Sequence, residues 1–188
     1  MREDIVIIHP GKEQEFVEEA KRLGWTGLLI LYEENDAKKI LQSSENTLQV
    51  DGMVVKTGVL LASQKVPVWT ERFSEVAVLG TMISQIPKGV TLLCDNEYEK
   101  EKDYTHQRRS GVSHVTLAEC RQKGVRLVAG ISRLQDSSQG RQSQVFGRMK
   151  QNKKLARKKN VEYHVVSLAR EPKRMRSRVD VRALERSL

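Results

Sequence analysis

Short β-branched apolar runs alternate with segments of helical periodicity along almost the whole chain, and this alternation restricts the fold more than any other feature. Asp4 to Ile8 reads as a strand. Gly11 to Leu23 follows with Phe16, Val17, Ala20 and Leu23 at helical spacing and Gly24 as a stop. Gly27 to Leu31 is a second strand, and Asn35 to Leu41 is a short helix entered through Asn35 or Asp36. Met53 to Leu61 is a strand after the Asp51-Gly52 turn signal. Glu75 to Leu79 and Val90 to Cys94 are shorter strands, with the stretch between Ala62 and Gly89 otherwise ambiguous. Val112 to Lys123 is helical and closed by Gly124, and Val125 to Ile131 is a strand. A polar loop, Gln135 to Ser143, leads into a long helix from Arg141 to Lys159. Val161 to Leu168 is a last strand and Pro172 to Leu188 a last helix. Nearly continuous apolar strands separated by helices belong to a mostly parallel sheet covered by helices. The expected fold is therefore α/β, either a small barrel or a doubly wound sheet, in one domain over residues 1–188.

Charge divides this chain unevenly. Over 188 residues the net charge is +9, from 33 Lys+Arg against 24 Asp+Glu. Residues 1–104 hold 12 basic and 18 acidic side chains, whereas residues 105–188 hold 21 and 6. A half at net +15 joined to a half at net −6 indicates one side that meets a polyanion. No apolar run approaches the roughly 20 residues that span a bilayer, so no membrane association is expected, and no signal peptide is visible. Two cysteines, Cys94 and Cys120, are too few for a disulfide framework, which fits an intracellular setting.

The basic half contains two candidate contact regions. In Arg108-Arg109-Ser110-Gly111, Ser110 is placed to cap a helix starting near Val112, and two arginines beside a helix start offer forked donors to phosphate. On the long helix, Val145, Met149, Asn152 and Ala156 share one face, with Leu155 at its edge. Lys150, Lys153, Lys154, Arg157 and Lys158 fall opposite, and no Asp or Glu occurs from Gln139 to Val161. Such uncompensated repulsion is most easily tolerated when a polyanion neutralises it. Arg148 lies near the buried edge of that helix. With nine aromatic residues in all, recognition of backbone and shape is favoured over base stacking.

Metal and nucleophile motifs are absent from the sequence. His9, His106, His114 and His164 are scattered, and His9 and Asp95 each follow a strand, where a barrel places catalytic groups.

Two stretches resemble protein component 3 of archaeal and eukaryotic ribonuclease P, the barrel subunit related to the polymerase-and-histidinol-phosphatase (PHP) metal enzymes. One runs from Arg108-Arg109-Ser110-Gly111-Val112-Ser113-His114-Val115 to Lys123-Gly124-Val125. The other comprises Gly147-Arg148-Met149-Lys150-Gln151-Asn152, Leu155-Ala156-Arg157-Lys158, Ser167, Ala169-Arg170-Glu171-Pro172, Met175-Arg176-Ser177 and Asp180. Arg178 stands where many relatives have proline, and Asp4 to His9 lacks the acidic-histidine-histidine signature of the active metal enzymes.

The resemblance implies a compact TIM-like (PHP-type) barrel that has lost metal chemistry and carries no catalytic or metal-binding residue. It implies a subunit of the endonuclease that removes the 5′ leader from precursor tRNA, itself inactive because the RNA catalyses. Expected partners are ribonuclease P RNA, protein component 2 and, indirectly, precursor tRNA. The protein is expected to bind no cofactor, Mg²⁺ being used by the RNA, and to be cytoplasmic if archaeal and nuclear if eukaryotic. The expected RNA-binding residues are Arg108, Arg109, Ser110, Arg148, Lys150, Lys153, Lys154, Arg157, Lys158, Arg170, Arg174 and Arg176. The competing readings are a metal-dependent phosphoesterase using His9 and Asp95, and a basic scaffold for an acidic protein.

Overall fold

The computed structural model describes residues 3–41, 47–50, 52–62, 65–80, 85–99, 103, 108–135 and 137–188. Asp51 of the turn signal and His106 lie outside the described residues.

The described residues form eight strands and five α-helices: β1 Glu3–Ile8, α1 Glu13–Arg22, β2 Gly27–Glu33, α2 Glu34–Ile40, β3 Thr47–Val50, β4 Met53–Leu61, β5 Glu75–Leu79, β6 Leu92–Cys94, α3 His114–Lys123, β7 Arg126–Gly130, α4 Gln139–Lys158, β8 Tyr163–Val166 and α5 Arg178–Ser187. Seven strands run parallel in the order β1-β2-β4-β5-β6-β7-β8, and β3 pairs antiparallel with the start of β4. The ends of this sheet meet. Leu168 N–H donates to Ile5 C=O at 2.8 Å and Ile7 N–H donates to Ala169 C=O at 2.9 Å. The sheet is thus a nearly closed barrel, the barrel rather than the open alternative among the expected folds.

Alternation along β1 explains why both sides of the strand are apolar. Ile5 and Ile7 join Leu29, Leu31, Leu60, Leu92, Val128 and Val166 in one buried cluster, the plug of the barrel. Val6 and Ile8 join Phe16, Val17, Ala20 and many others in the second cluster, between the sheet and its helices. Each fully buried Leu, Ile or Phe side chain stabilises the fold by about 1.5–3 kcal/mol relative to exposure, so a short strand with two apolar faces is held on both.

Three departures from the sequence expectations have local causes. β3, only four residues long, is not among the expected strands and forms by pairing antiparallel with β4. The segment after β8 is not one helix from Pro172. A 3-10 turn at Pro172–Arg174 gives way to extended backbone at Met175, and α5 starts at Arg178, where Ser177 accepts from Asp180 N–H at 3.1 Å as N-cap. Helix α3 starts at His114, not at Val112: its cap is Ser113, whose Oγ accepts from Thr116 N–H at 3.1 Å, completing a capping box.

Between α1 and the C-terminal segment, buried polar groups set the position of the chain after β8. Asp4, fully buried, accepts from Ser167 N–H at 2.8 Å, and Arg176 N–H donates to Ser167 Oγ at 2.9 Å. Trp25 Nε1 donates to Arg176 C=O at 2.9 Å.

Candidate nucleic-acid interface

Helix α4 owes its orientation to polar side chains on its buried face as much as to apolar ones. Val145, Met149 and Ala156 pack into the core as the periodicity requires, and Arg148 and Asn152 are buried beside them. A buried amide or guanidinium is costly unless its donors are paired. Asn152 Nδ2 donates to Glu97 Oε1 at 2.8 Å and to Ser110 C=O at 2.9 Å. Glu97 Oε1 also accepts from Tyr163 Oη at 2.9 Å. Burial pushes the Glu97 carboxyl up to about 7, against the pull of its hydrogen bonds.

Arg148 is a correction to the proposed RNA-contacting set. Its side chain has no exposure: it donates to the carbonyls of Glu97 and Glu99 at 3.1 and 2.7 Å and meets the Asp103 carboxylate at 2.8 Å. Asp103 in turn accepts from Arg109 N–H at 2.9 Å. Arg141, two turns of α4 closer to its start, donates to the carbonyls of Tyr98 and Glu99 at 2.9 and 2.8 Å. These arginines therefore tie α4 to the chain after β6, and their charge is directed inward.

Ser110 is likewise not an exposed anion donor. It is buried, and its Oγ accepts from Gln151 Nε2 at 3.3 Å while Gln151 also donates to Arg108 C=O at 3.2 Å. What these bonds accomplish is to hold Arg108 and Arg109, both exposed, against α4. The fit is close at Gly147, where an added Cβ would lie 1.2 Å from an Arg108 guanidinium nitrogen. The two stretches singled out in the sequence are thus adjoining parts of one surface.

The outward face of α4 carries Lys150, Lys154, Arg157 and Lys158, all exposed. Among the described residues none of these four pairs with a carboxylate. Lys153 differs from the sequence expectation: it is half-buried, and its ammonium donates to Glu185 C=O near the end of α5. Arg176 is exposed, with its backbone fixed by Ser167 and Trp25. Arg170 and Arg174 belong to another feature, a cavity at the C-terminal mouth of the barrel.

The strand-end residues His9 and Asp95 have separate partners. His9, exposed, bonds through Nδ1 to Asp36 at 2.7 Å. Asp95, buried, accepts from Gly130 N–H at 2.9 Å and from Arg133 at 3.2 Å. Among the described residues no group of three or more His, Cys, Asp or Glu side chains is placed to hold a metal ion, and no helix is long and apolar enough to cross a membrane.

Glu97, Asp103 and Tyr163 were missed in the sequence. The one signal was Asn152, a polar side chain on an otherwise apolar helix face, which required a buried partner without saying which.

No protein-family model matches this chain, and no curated protein matches its sequence. Among solved structures, a chain in the cryo-EM structure of archaeal ribonuclease P with mature tRNA is similar, with a TM-score of 0.70 at 18% identity over 98% of this chain and 82% of that one. At that identity the likeness establishes the barrel architecture.

Proposed function

We propose that this chain is a protein subunit of ribonuclease P, one that binds the RNA of the enzyme and supports removal of the 5′ leader from precursor tRNA. The observation that carries the reading is the acid-free outward face of α4, continuous with Arg108 and Arg109. A duplex backbone presents closely spaced phosphates, and a row of exposed cations on a rigid helix neutralises them without any base contact. The barrel shared with a chain of an archaeal ribonuclease P assembly supports the same reading.

In this proposal the protein does no chemistry itself. The Arg148, Asn152 and Gln151 bonds hold the cations in a fixed array, so little conformational entropy is lost when RNA binds. Neutralised phosphates repel one another less, and the RNA then holds its active fold at lower Mg²⁺. Protein component 2 is proposed as the second partner.

Reconstitution tests this directly. Precursor tRNA cleavage by ribonuclease P RNA with component 2 is measured against Mg²⁺ concentration, with and without this protein. The reading predicts that the protein shifts the Mg²⁺ requirement downward. An identical Mg²⁺ dependence in both mixtures refutes it.

A further inference from the structure

At the C-terminal ends of the strands, the barrel opens into a cavity of about 460 Å³ whose polar wall contains three arginines, Arg133, Arg170 and Arg174. Arg133 follows β7, and the other two follow β8. Asp95 and Glu33 each pair with one of them, Arg133 and Arg170, and Glu171 lines the same mouth, so the guanidiniums are held around one concavity. Asp95 has both oxygens engaged, by Gly130 N–H at 2.9 Å and by Arg133 at 3.2 Å. Glu171 pairs with Lys173 at 2.9 Å. Arg170 meets Glu33 at 2.6 Å, but both side chains are about half exposed, and ion pairs of that kind are worth only about 0–1 kcal/mol and exchange readily.

The mouth is also built under strain. Asp95 and Leu168, which both line it, hold left-handed backbone at φ 58° and 46°, a conformation that side-chain-bearing residues seldom adopt. Gly130 sits between them: an added Cβ would lie 2.6 Å from Leu168 Cβ and 2.9 Å from Asp95 Oδ1. Strain of this sort persists where surrounding structure over-determines it, and it concentrates at ligand sites. Here its result is a fixed Arg133, clamped by Asp95 on one side and stacked 4.3 Å over the Tyr98 ring on the other.

We propose that this mouth is a binding site for a single phosphate group, gripped by Arg133, Arg170 and Arg174. Guanidinium forks match the spacing of phosphate oxygens, and the volume admits the phosphate together with part of the molecule that bears it. The phosphate comes either from an RNA backbone or from a small phosphorylated ligand. The site stands independently of the α4 surface, and it assigns Arg170 and Arg174 to a pocket of their own.

The test is an NMR titration of the purified chain with inorganic phosphate at constant ionic strength, following the Gly130 amide and the Arg133 Nε–H. Saturable shifts at both are expected. Arg170→Gln and Arg174→Gln should each weaken binding roughly tenfold, with an unchanged unfolding midpoint showing that the fold is retained. An RNA oligonucleotide that displaces the phosphate identifies the backbone as its source, whereas simultaneous binding identifies a small ligand. Protein that binds RNA but gives no saturable response at Gly130, or the same response to chloride, overturns the proposal and leaves the α4 reading standing.

Discussion

The fully buried guanidinium of Arg148 lies 2.8 Å from the carboxylate of Asp103, and the same carboxylate oxygen accepts the backbone N–H of Arg109. One carboxylate thus joins the inner face of α4 to the segment that carries two exposed arginines. The pair converts a basic helix and a basic loop, separate in sequence, into a single surface.

Arg148→Ala would strand Asp103 and the carbonyls of Glu97 and Glu99. Loss of one member of such a pair typically costs about 3–5 kcal/mol, and urea denaturation should show a loss in that range. Arg157→Ala, at an exposed position of the same helix, should change stability by no more than about 0.5 kcal/mol.

Glu97 makes stability depend on pH in an unusual direction. Its folded-state carboxyl stands at about 7 against an ordinary 4.5, so between those values the unfolded chain has released a proton that the folded chain keeps. Stability should therefore fall as pH rises from about 4.5 to about 7 and then level off. Asp4, raised by burial from 3.8 to about 6, adds to the lower part of the same window. The Glu97→Gln variant keeps an oxygen for Asn152 and Tyr163, removes the Glu97 contribution to this slope, and should be the more stable protein at pH 7, by up to about 3 kcal/mol. Thermal melts of both proteins across pH 4.5–8 check it.

Gly147 is where Arg108 crosses α4. A methyl group there displaces the guanidinium, so Gly147→Ala should weaken RNA binding severalfold even though alanine favours helix by about 1 kcal/mol over glycine. Reduced RNA affinity with an undiminished melting temperature is the expected pair of results.

Much of this architecture is legible in the sequence because the strands are apolar on both faces and the helices are not. Ile5 to Ile8 and Leu28 to Leu31 declare buried parallel strands, and Lys150, Lys154, Arg157 and Lys158 declare an outer face by their phase relative to Val145, Met149 and Ala156. The pairing of polar groups was not legible. Arg148 reads as a cation near the buried edge of a basic helix, and nothing in the sequence names its partner, Asp103, 45 residues earlier. Ser110 reads as a cap because serine caps helices, but Ser113 completes a reciprocal pair with Thr116 and so defines the start of α3. The mouth cavity is hidden in the sequence for the same reason: Arg133, Arg170 and Arg174 come together only when the barrel closes through Leu168 and Ala169.

The most direct measurement of the central claim is the affinity for ribonuclease P RNA as a function of salt, for the wild type and for the Lys150→Ala/Arg157→Ala/Lys158→Ala variant. With six exposed cations at Arg108, Arg109, Lys150, Lys154, Arg157 and Lys158 each meeting a phosphate, the slope of log affinity against log salt should be about −4 to −5. The triple variant should bind more weakly, with a slope shallower by about 2 to 3. A wild-type affinity that does not change with salt, or a triple variant with the wild-type slope, would contradict the account.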